Sequence, residues 1–187
     1  MTRFLDVLLS LLGLSLGAPL LLALFALGLL DTGSPLFFQT RVGRNQRLFT
    51  LVKFRTMRPD AAHVATHLAD ASAITRWGAF LRRVKFDELP QLWNVLKGEM
   101  SLAGPRPCLP TQTELIAERA RRGVFSARPG VTGLAQVQGI DMSDPARLAE
   151  VDAQMLQELS VGTYFRYIFL TALGRGTGDR VRRKKPD

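Results

Sequence analysis

A mixed α/β body dominated by helices, carried behind a proline-interrupted apolar helix, is the fold this sequence predicts. Three observations lead there. Residues 7 to 30 form an apolar run without a charge. Residues 32 to 60 carry turn and strand signals in alternation. Beyond them, apolar residues recur at i, i+3, i+4 and i+7, the spacing of helices with one buried stripe. At 187 residues, the chain has the length for one compact domain, a short appendage and a real core.

The first element is "VLLSLLGLSLGAPLLLALFALGLL", bounded by Asp6 and Asp31. At about 1.5 Å per residue, an unbroken helix of this length crosses a roughly 30 Å hydrocarbon core. It is too long for the apolar part of a signal peptide, and "DTGSPLFF" after it holds no small-x-small cleavage pattern. Pro19 sits near its midpoint. It has no N–H for the carbonyl of Ser15, so a kink is expected, leaving halves of about 18 Å each. Basic residues flank the run on both sides, at Arg3 and at Arg41, Arg44, Arg47 and Lys53. That pattern does not orient a span and suits two cytoplasmic ends. A kinked span and a re-entrant helix–break–helix stay equally open on these residues.

"SPLFFQTRVG" and "LFTLVKFRTM" read as two strands joined by the turn "GRNQR". In the second, Leu51, Lys53 and Arg55 alternate with Val52 and Phe54, so the two basic side chains share one face. Either that face is solvated or something acidic converges on it. "DAAHVATHLADAS" is a polar helix or loop. In "ITRWGAFLRRV", Trp77, Phe80, Leu81 and Val84 form a helical stripe with Arg76, Arg82 and Arg83 off it. Leu89, Leu92, Trp93 and Leu96 repeat the spacing, Asp87 is placed to cap the helix start, and Gly98 is placed to stop it. "SLAGPRPCLP" is a proline-set loop, "TQTELIAERARRG" and "DPARLAEVDAQMLQELS" are amphipathic helices, and "TYFRYIFLTALG" suits a membrane interface. The boundaries are residues 1–31 for the membrane helix, 32–173 for the body and 174–187 for a basic tail.

The chain holds 25 Lys plus Arg against 16 Asp plus Glu, a net charge of +9. Residues 1 to 31 contribute −1, so the rest carries +10. Such a body suits phosphate-rich partners: nucleic acid, nucleotide substrates or anionic lipid. A single cysteine, Cys108, excludes an intrachain disulfide and fits a reducing compartment. With only His63 and His67 beside it, the composition argues against a structural zinc site.

Within this basic chain "FDELPQLWNVLKGEMSLAGPRP" places Asp87 and Glu88 side by side. Acidic residues at a helix start stabilise it by about 1–2 kcal/mol, which alone explains many such pairs. Three neighbours favour chemistry. Arg82, Arg83 and Lys85 keep a carboxylate ionised, as a nucleophile or metal ligand requires. Arg106, fixed between Pro105 and Pro107, suits bidentate phosphate binding. Mg²⁺ needs few carboxylates and completes its shell with water and phosphate oxygens.

Together "RVGRNQRLFTLVKFRTM", "LRRVKFDELPQLWNVLKGEMSLAGPRP" and "RPGVTGLAQVQG", behind the apolar segment, resemble the bacterial sugar transferase family, the monotopic phosphoglycosyl transferases in their minimal catalytic form. The likeness runs from "RFLD" at 3–6 to about residue 160. It implies transfer of a phosphosugar from a UDP-sugar to polyprenyl (undecaprenyl) phosphate with release of UMP, the first membrane step of glycan assembly. By resemblance, Asp87 is the nucleophile that forms a covalent phosphosugar-enzyme. Glu88 beside it holds metal or handles a proton, and both are candidate Mg²⁺ ligands. Lys53, Arg55, Arg82, Arg106 and Arg128 become phosphate-binding candidates. The family's first helix is re-entrant and broken at a Ser-Pro pair, here Ala18-Pro19, so the break is expected there, with the body on the cytoplasmic face of the bacterial inner membrane. The family's tyrosine-flanked Asp motif stands here as "EVDAQM", with Val151 and Met155 in the aromatic positions around Asp152. The reading includes membrane lipid and excludes nucleic acid, which does not explain an acidic dyad among arginines. The competing class is a membrane-anchored binding protein that captures nucleic acid or anionic lipid. The sequence leaves a homo-oligomer open.

Overall fold

The computed structural model describes residues 2–61 and 71–175. Most of the expected polar segment around His63 and His67, and the basic tail from residue 176, lie outside the described residues.

Helix α1 (Thr2–Thr32) is the apolar run. Among the described residues it alone is long and apolar enough to cross a membrane. The expected separation at Ala18-Pro19 is not seen as a loop: Pro19 lies inside one 31-residue helix. Proline removes a single donor, and the turns on either side keep their own ladder.

Strands β1 (Leu36–Val42) and β2 (Leu48–Phe54) form the expected antiparallel hairpin, with Leu36 opposite Phe54 and Val42 opposite Leu48. The tight turn between them holds Asn45 and Gln46 in the left-handed region. Helix α2 (Arg76–Val84) is capped by Thr75, whose hydroxyl accepts from the Gly78 N–H. Glycine is required at 78 because any Cβ would strike the Thr56 backbone, 2.1 Å from its carbonyl oxygen. Helix α3 (Gln91–Lys97) ends at Gly98, whose φ of +83° is the left-handed stop expected there.

Strand β3 (Ser101–Ala103) pairs in parallel with β4 (Gly130–Thr132). Between them lies α4 (Thr113–Arg121), and after them α5 (Leu134–Gln138), α6 (Pro145–Gln157) and α7 (Val161–Ala172). Helices dominate, as the periodicity predicts, and the two small sheets stay separate.

Two apolar clusters seat α1 on the body. Leu5 and Leu9 join Met155, Tyr164 and Tyr167. Leu21 and Leu24 join Phe54, Leu81, Phe86 and Leu89. Polar contacts reinforce both ends. Near the N-terminus, Arg3 donates to the carbonyls of Val95 and Leu96 at 2.5 and 2.8 Å. Buried Asp6 accepts from the Ser101 hydroxyl, the Leu102 N–H and the Tyr164 phenol, each at 2.9 Å. At the far end, Thr75 Oγ1 donates to Asp31 at 2.7 Å.

The expected stripe on α2 is only partly covered. Leu81 is buried, but Phe80 and Val84 are exposed, as is Trp93 on α3. Phe165, Phe169 and Leu173 stand out from α7 and its C-cap in the same way. These residues obey helical spacing but face away from the protein core.

Candidate active site

The acidic pair does not cap α3, as its position suggested. Lys85 takes a left-handed conformation (φ 59°) that ends α2. Phe86–Glu88 then forms one 3-10 turn, and α3 starts only after Pro90, with no side-chain cap. In such a turn residues i and i+3 eclipse. Phe86 and Leu89 therefore share a side, packed into the cluster of Leu24, Phe54 and Leu81. Asp87 and Glu88 are turned from that cluster, yet both are buried. The apolar contacts of the turn thus fix the two carboxylates.

Arg106 meets this turn from the loop after β3. Its Nη2 lies 3.1 Å from Glu88 Oε1. The loop is held at four successive carbonyls. Pro105 accepts from the Gly130 N–H, Arg106 from Arg119 Nη1, Pro107 from Arg41 Nη1 and Cys108 from the Val42 N–H. At its root, Gly104 and Gly130 cross so closely that a Cβ on Gly130 would lie 2.0 Å from the Gly104 nitrogen. Two glycines at that crossing let the loop lie flat against β4.

Arg119 is itself buried. Its Nε and Nη2 donate to Asp152 Oδ2 at 2.9 and 2.7 Å. Burial pushes the Asp152 carboxyl up, opposed by the Arg119 charge and hydrogen bond. Burial likewise pushes the Cys108 thiol up, again opposed by Arg119. Asp152 is thus the partner of the arginine that grips the Arg106 carbonyl.

Lys53 is buried rather than solvated, and it shares a shallow cleft with Arg106, Gln91, Arg41 and Val131. The face that Lys53 and Arg55 were expected to share is present, since both cations stand over the Phe37 ring, at 5.6 and 5.5 Å. Arg55 also donates to the carbonyls of Ser34 and Leu36. Arg82 Nε donates to Thr56 Oγ1 at 2.8 Å, just beyond β2. Arg128 Nε donates to the Gly98 carbonyl at 2.8 Å, at the end of α3. Glu88 and Arg106 are therefore in contact, with Asp87 on the same turn and Lys53 in the cleft that Arg106 also lines; Arg82 joins α2 to Thr56, and Arg55 and Arg128 hold the start of β1 and the end of α3.

Sequence reasoning missed Arg41, Arg119 and Gln91. Arg41 was counted only as a flanking charge. Arg119 sits in the charged run "ERARR", where nothing local distinguishes a buried arginine from a solvated one. Among the described residues no group of three or more His, Cys, Asp or Glu converges. The adjacent carboxylates Asp87 and Glu88 remain a hard-oxygen donor set of the size Mg²⁺ uses when phosphate and water complete its shell.

A model of the bacterial sugar transferase family matches residues 1–175. The chain is 46% identical over 145 residues to a UDP-glucose:undecaprenyl-phosphate glucose-1-phosphate transferase of Caulobacter vibrioides, covering 74% of this chain and 54% of that protein. It is 36% identical over 183 residues to the galactosyl transferase CpsE of Streptococcus agalactiae, covering 90% of this chain and 40% of that protein. It is 40% identical over 197 residues to the exopolysaccharide production protein PSS of Rhizobium leguminosarum bv. phaseoli, covering 94% of this chain and 96% of that protein. The chain thus spans 54% and 40% of the first two of these relatives.

Proposed function

Since the chain belongs to the bacterial sugar transferase family, we propose that it moves a sugar phosphate from a UDP-sugar to polyprenyl phosphate. The observation that carries this reading is the buried Asp87–Glu88 turn with Arg106 on Glu88 and Lys53 in the adjoining cleft. Fixed cations beside fixed carboxylates suit a diphosphate whose charge must be held while an oxygen attacks it.

In the first step an Asp87 carboxylate oxygen attacks the β-phosphorus of the UDP-sugar. An Asp87 O–P bond forms and the bond from the β-phosphorus to the bridging oxygen breaks. That oxygen leaves with its electron pair as part of UMP. In the second step a phosphate oxygen of polyprenyl phosphate attacks the same phosphorus and releases Asp87. The product is a polyprenyl diphosphate sugar, and the kinetics are ping-pong. Lys53 and Arg106 hold the diphosphate oxygens during both steps. Asp87 and Glu88 would hold Mg²⁺, which when bound offsets diphosphate charge.

The membrane reading is re-entrant, with both ends of α1 and the body on the cytoplasmic face of the inner membrane. Contacts from Arg3 and Asp6 at one end of α1 and Asp31 at the other, all to the same body, support it. A helix crossing the whole bilayer keeps only one end beside a body on one side.

The test mixes the protein in detergent with Mg²⁺, polyprenyl phosphate and a panel of UDP-hexoses and N-acetylated UDP-sugars, and follows UMP. Release that needs the acceptor for multiple turnovers is expected. Folded protein giving no UMP across the panel overturns the reading. Asp87→Asn should abolish the covalent phosphosugar adduct seen by intact-protein mass spectrometry, and its survival would assign the nucleophile elsewhere. The binding-protein alternative expects nucleic-acid or anionic-lipid binding that Asp87→Asn and Mg²⁺ leave unchanged.

A further inference from the structure

A second cavity lies on the other side of the catalytic turn. It runs between the end of α2 and α7, with β3 and β4 beneath, and its volume is about 570 Å³, within the roughly 300–1,000 Å³ typical of ligand sites. Its lining includes Val84, Phe86, Leu89, Leu102, Val131 and Ile168. Arg83, Lys85, Thr132 and Thr171 line it too, and Lys85 Nζ donates to the carbonyls of Thr171 and Arg175 at 3.5 and 2.8 Å.

Three relations say what fits it. First, its walls come from the two clusters that seat α1: Leu102 and Ile168 belong to one, Phe86 and Leu89 to the other. The groove therefore lies beside the apolar helix rather than on a face remote from it. Second, the elements flanking its mouth expose apolar side chains, Phe80 and Val84 on one side, Phe169 and Leu173 on the other. Apolar residues around an apolar opening suit entry from hydrocarbon, not from water. Third, Val131 lines both this groove and the cleft of Lys53 and Arg106. Phe86 and Leu89 face the groove while Asp87 and Glu88 between them are turned away from their cluster. One turn of chain separates the two cavities.

We propose that this groove holds the isoprenoid chain of the lipid acceptor, threaded between α2 and α7, with its phosphate delivered past Val131 toward Asp87. The inference rests on the transferase reading above and adds where the acceptor's hydrocarbon sits. A nucleotide is a poorer occupant: the lining is mostly apolar, and its two neutral polar side chains, Thr132 and Thr171, are bonded to each other, which favours hydrocarbon over a base and ribose. Beyond Val131, the cations Lys53 and Arg106 complement the charge of the acceptor's phosphate end.

Ala172 lines the groove and is exposed, so a larger side chain there narrows the opening without disturbing the core. Ala172→Phe should raise the KM for polyprenyl phosphate about tenfold, the equivalent of roughly 1.4 kcal/mol. Formation of the covalent phosphosugar from UDP-sugar alone should keep its wild-type rate. An unchanged acceptor KM overturns the proposal. A slowed first step with the acceptor KM intact overturns it in favour of a nucleotide site. A second measurement does not depend on turnover. Polyprenyl phosphate carrying a benzophenone in its chain, in vesicles of phosphatidylethanolamine and phosphatidylglycerol, should photolabel the peptides containing residues 84–89 and 161–172. Labelling confined to other peptides, or suppressed equally by excess phosphatidylglycerol, overturns the groove as an acceptor site. Failure of wild-type protein to release UMP would instead count against the transferase reading, and the photolabelling would still decide the groove.

Discussion

Arg106 owes its position to residues that grip its loop from behind. A guanidinium on a loop flanked by prolines has a restricted backbone, but restriction alone does not aim it. Aim comes from the carbonyls: Arg119 and Arg41 grip those of Arg106 and Pro107 from two sides. Arg119 is held in turn by Asp152. Removing one partner of a buried ion pair costs about 3–5 kcal/mol, whereas replacing both by apolar groups is often neutral. Asp152→Leu and Arg119→Met alone should each lower the thermal midpoint by several degrees in a detergent melt. The double variant should recover most of that loss. Its transferase activity should nevertheless stay about tenfold low, because the Arg106 carbonyl has lost its donor. Recovery of activity together with stability would show that the pair serves packing only.

At the scale of elements, one carboxylate of α1 ties it to two elements of the body. Asp6 accepts three hydrogen bonds from β3 and α7, and the Tyr164 phenol is one of the donors. Burial first, and then the hydrogen bond and charge of Asp6, push the Tyr164 phenol well above its ordinary value of 10.0. Above that value the unfolded chain loses this proton while the folded chain keeps it. Folding stability is therefore flat in this respect through neutral pH and falls as pH rises past about 10. Tyr164→Phe should be less stable at pH 8 and should show a shallower alkaline decline, read by thermal melts across pH 8–11. The elements themselves were largely legible. The hairpin, α2, α4, α6 and the stop at Gly98 follow from alternation, helical spacing and one glycine. The cap at Asp87 was misread because the left-handed Lys85, which turns the chain before α3, has no signature in residue type. Spacing also implied that Phe80, Val84 and Trp93 were core, and they are exposed. Periodicity reports that a face is apolar, not whether protein or lipid covers it.

For the whole molecule, the legible part of the site was the part that is local in sequence. Asp87 with Glu88, and Arg106 between prolines, announce themselves within a few residues. Arg41 reaches the Pro107 carbonyl across 66 residues, and Arg119 reaches Asp152 across 33 and the Arg106 carbonyl across 13, so residue type alone does not announce these partners. Topology is the corresponding question for the membrane, and cysteine chemistry answers it. Cys108 is buried with its thiol pushed up, so it should stay silent toward a maleimide at neutral pH. Thr2→Cys in sealed inside-out vesicles should label from the exposed cytoplasmic face. Protection of that thiol, with an introduced body thiol at Glu150 labelled, would mean that α1 spans.

The bond from Tyr164 to Asp6 joins residues 158 positions apart. At roughly 5–20 residues per second, ribosomal synthesis takes about 8–30 s to cover that distance. Between the emergence of Asp6 and that of Tyr164, the acidic group lacks its full set of partners: Ser101 and Leu102 come 95 and 96 residues on, and Tyr164 last. Settling Asp6 in hydrocarbon during the wait would carry a desolvation cost with nothing to offset it. The nascent helix therefore has reason to rest shallow at the headgroups until α7 is made, so that final seating in the bilayer is among the last events of biogenesis.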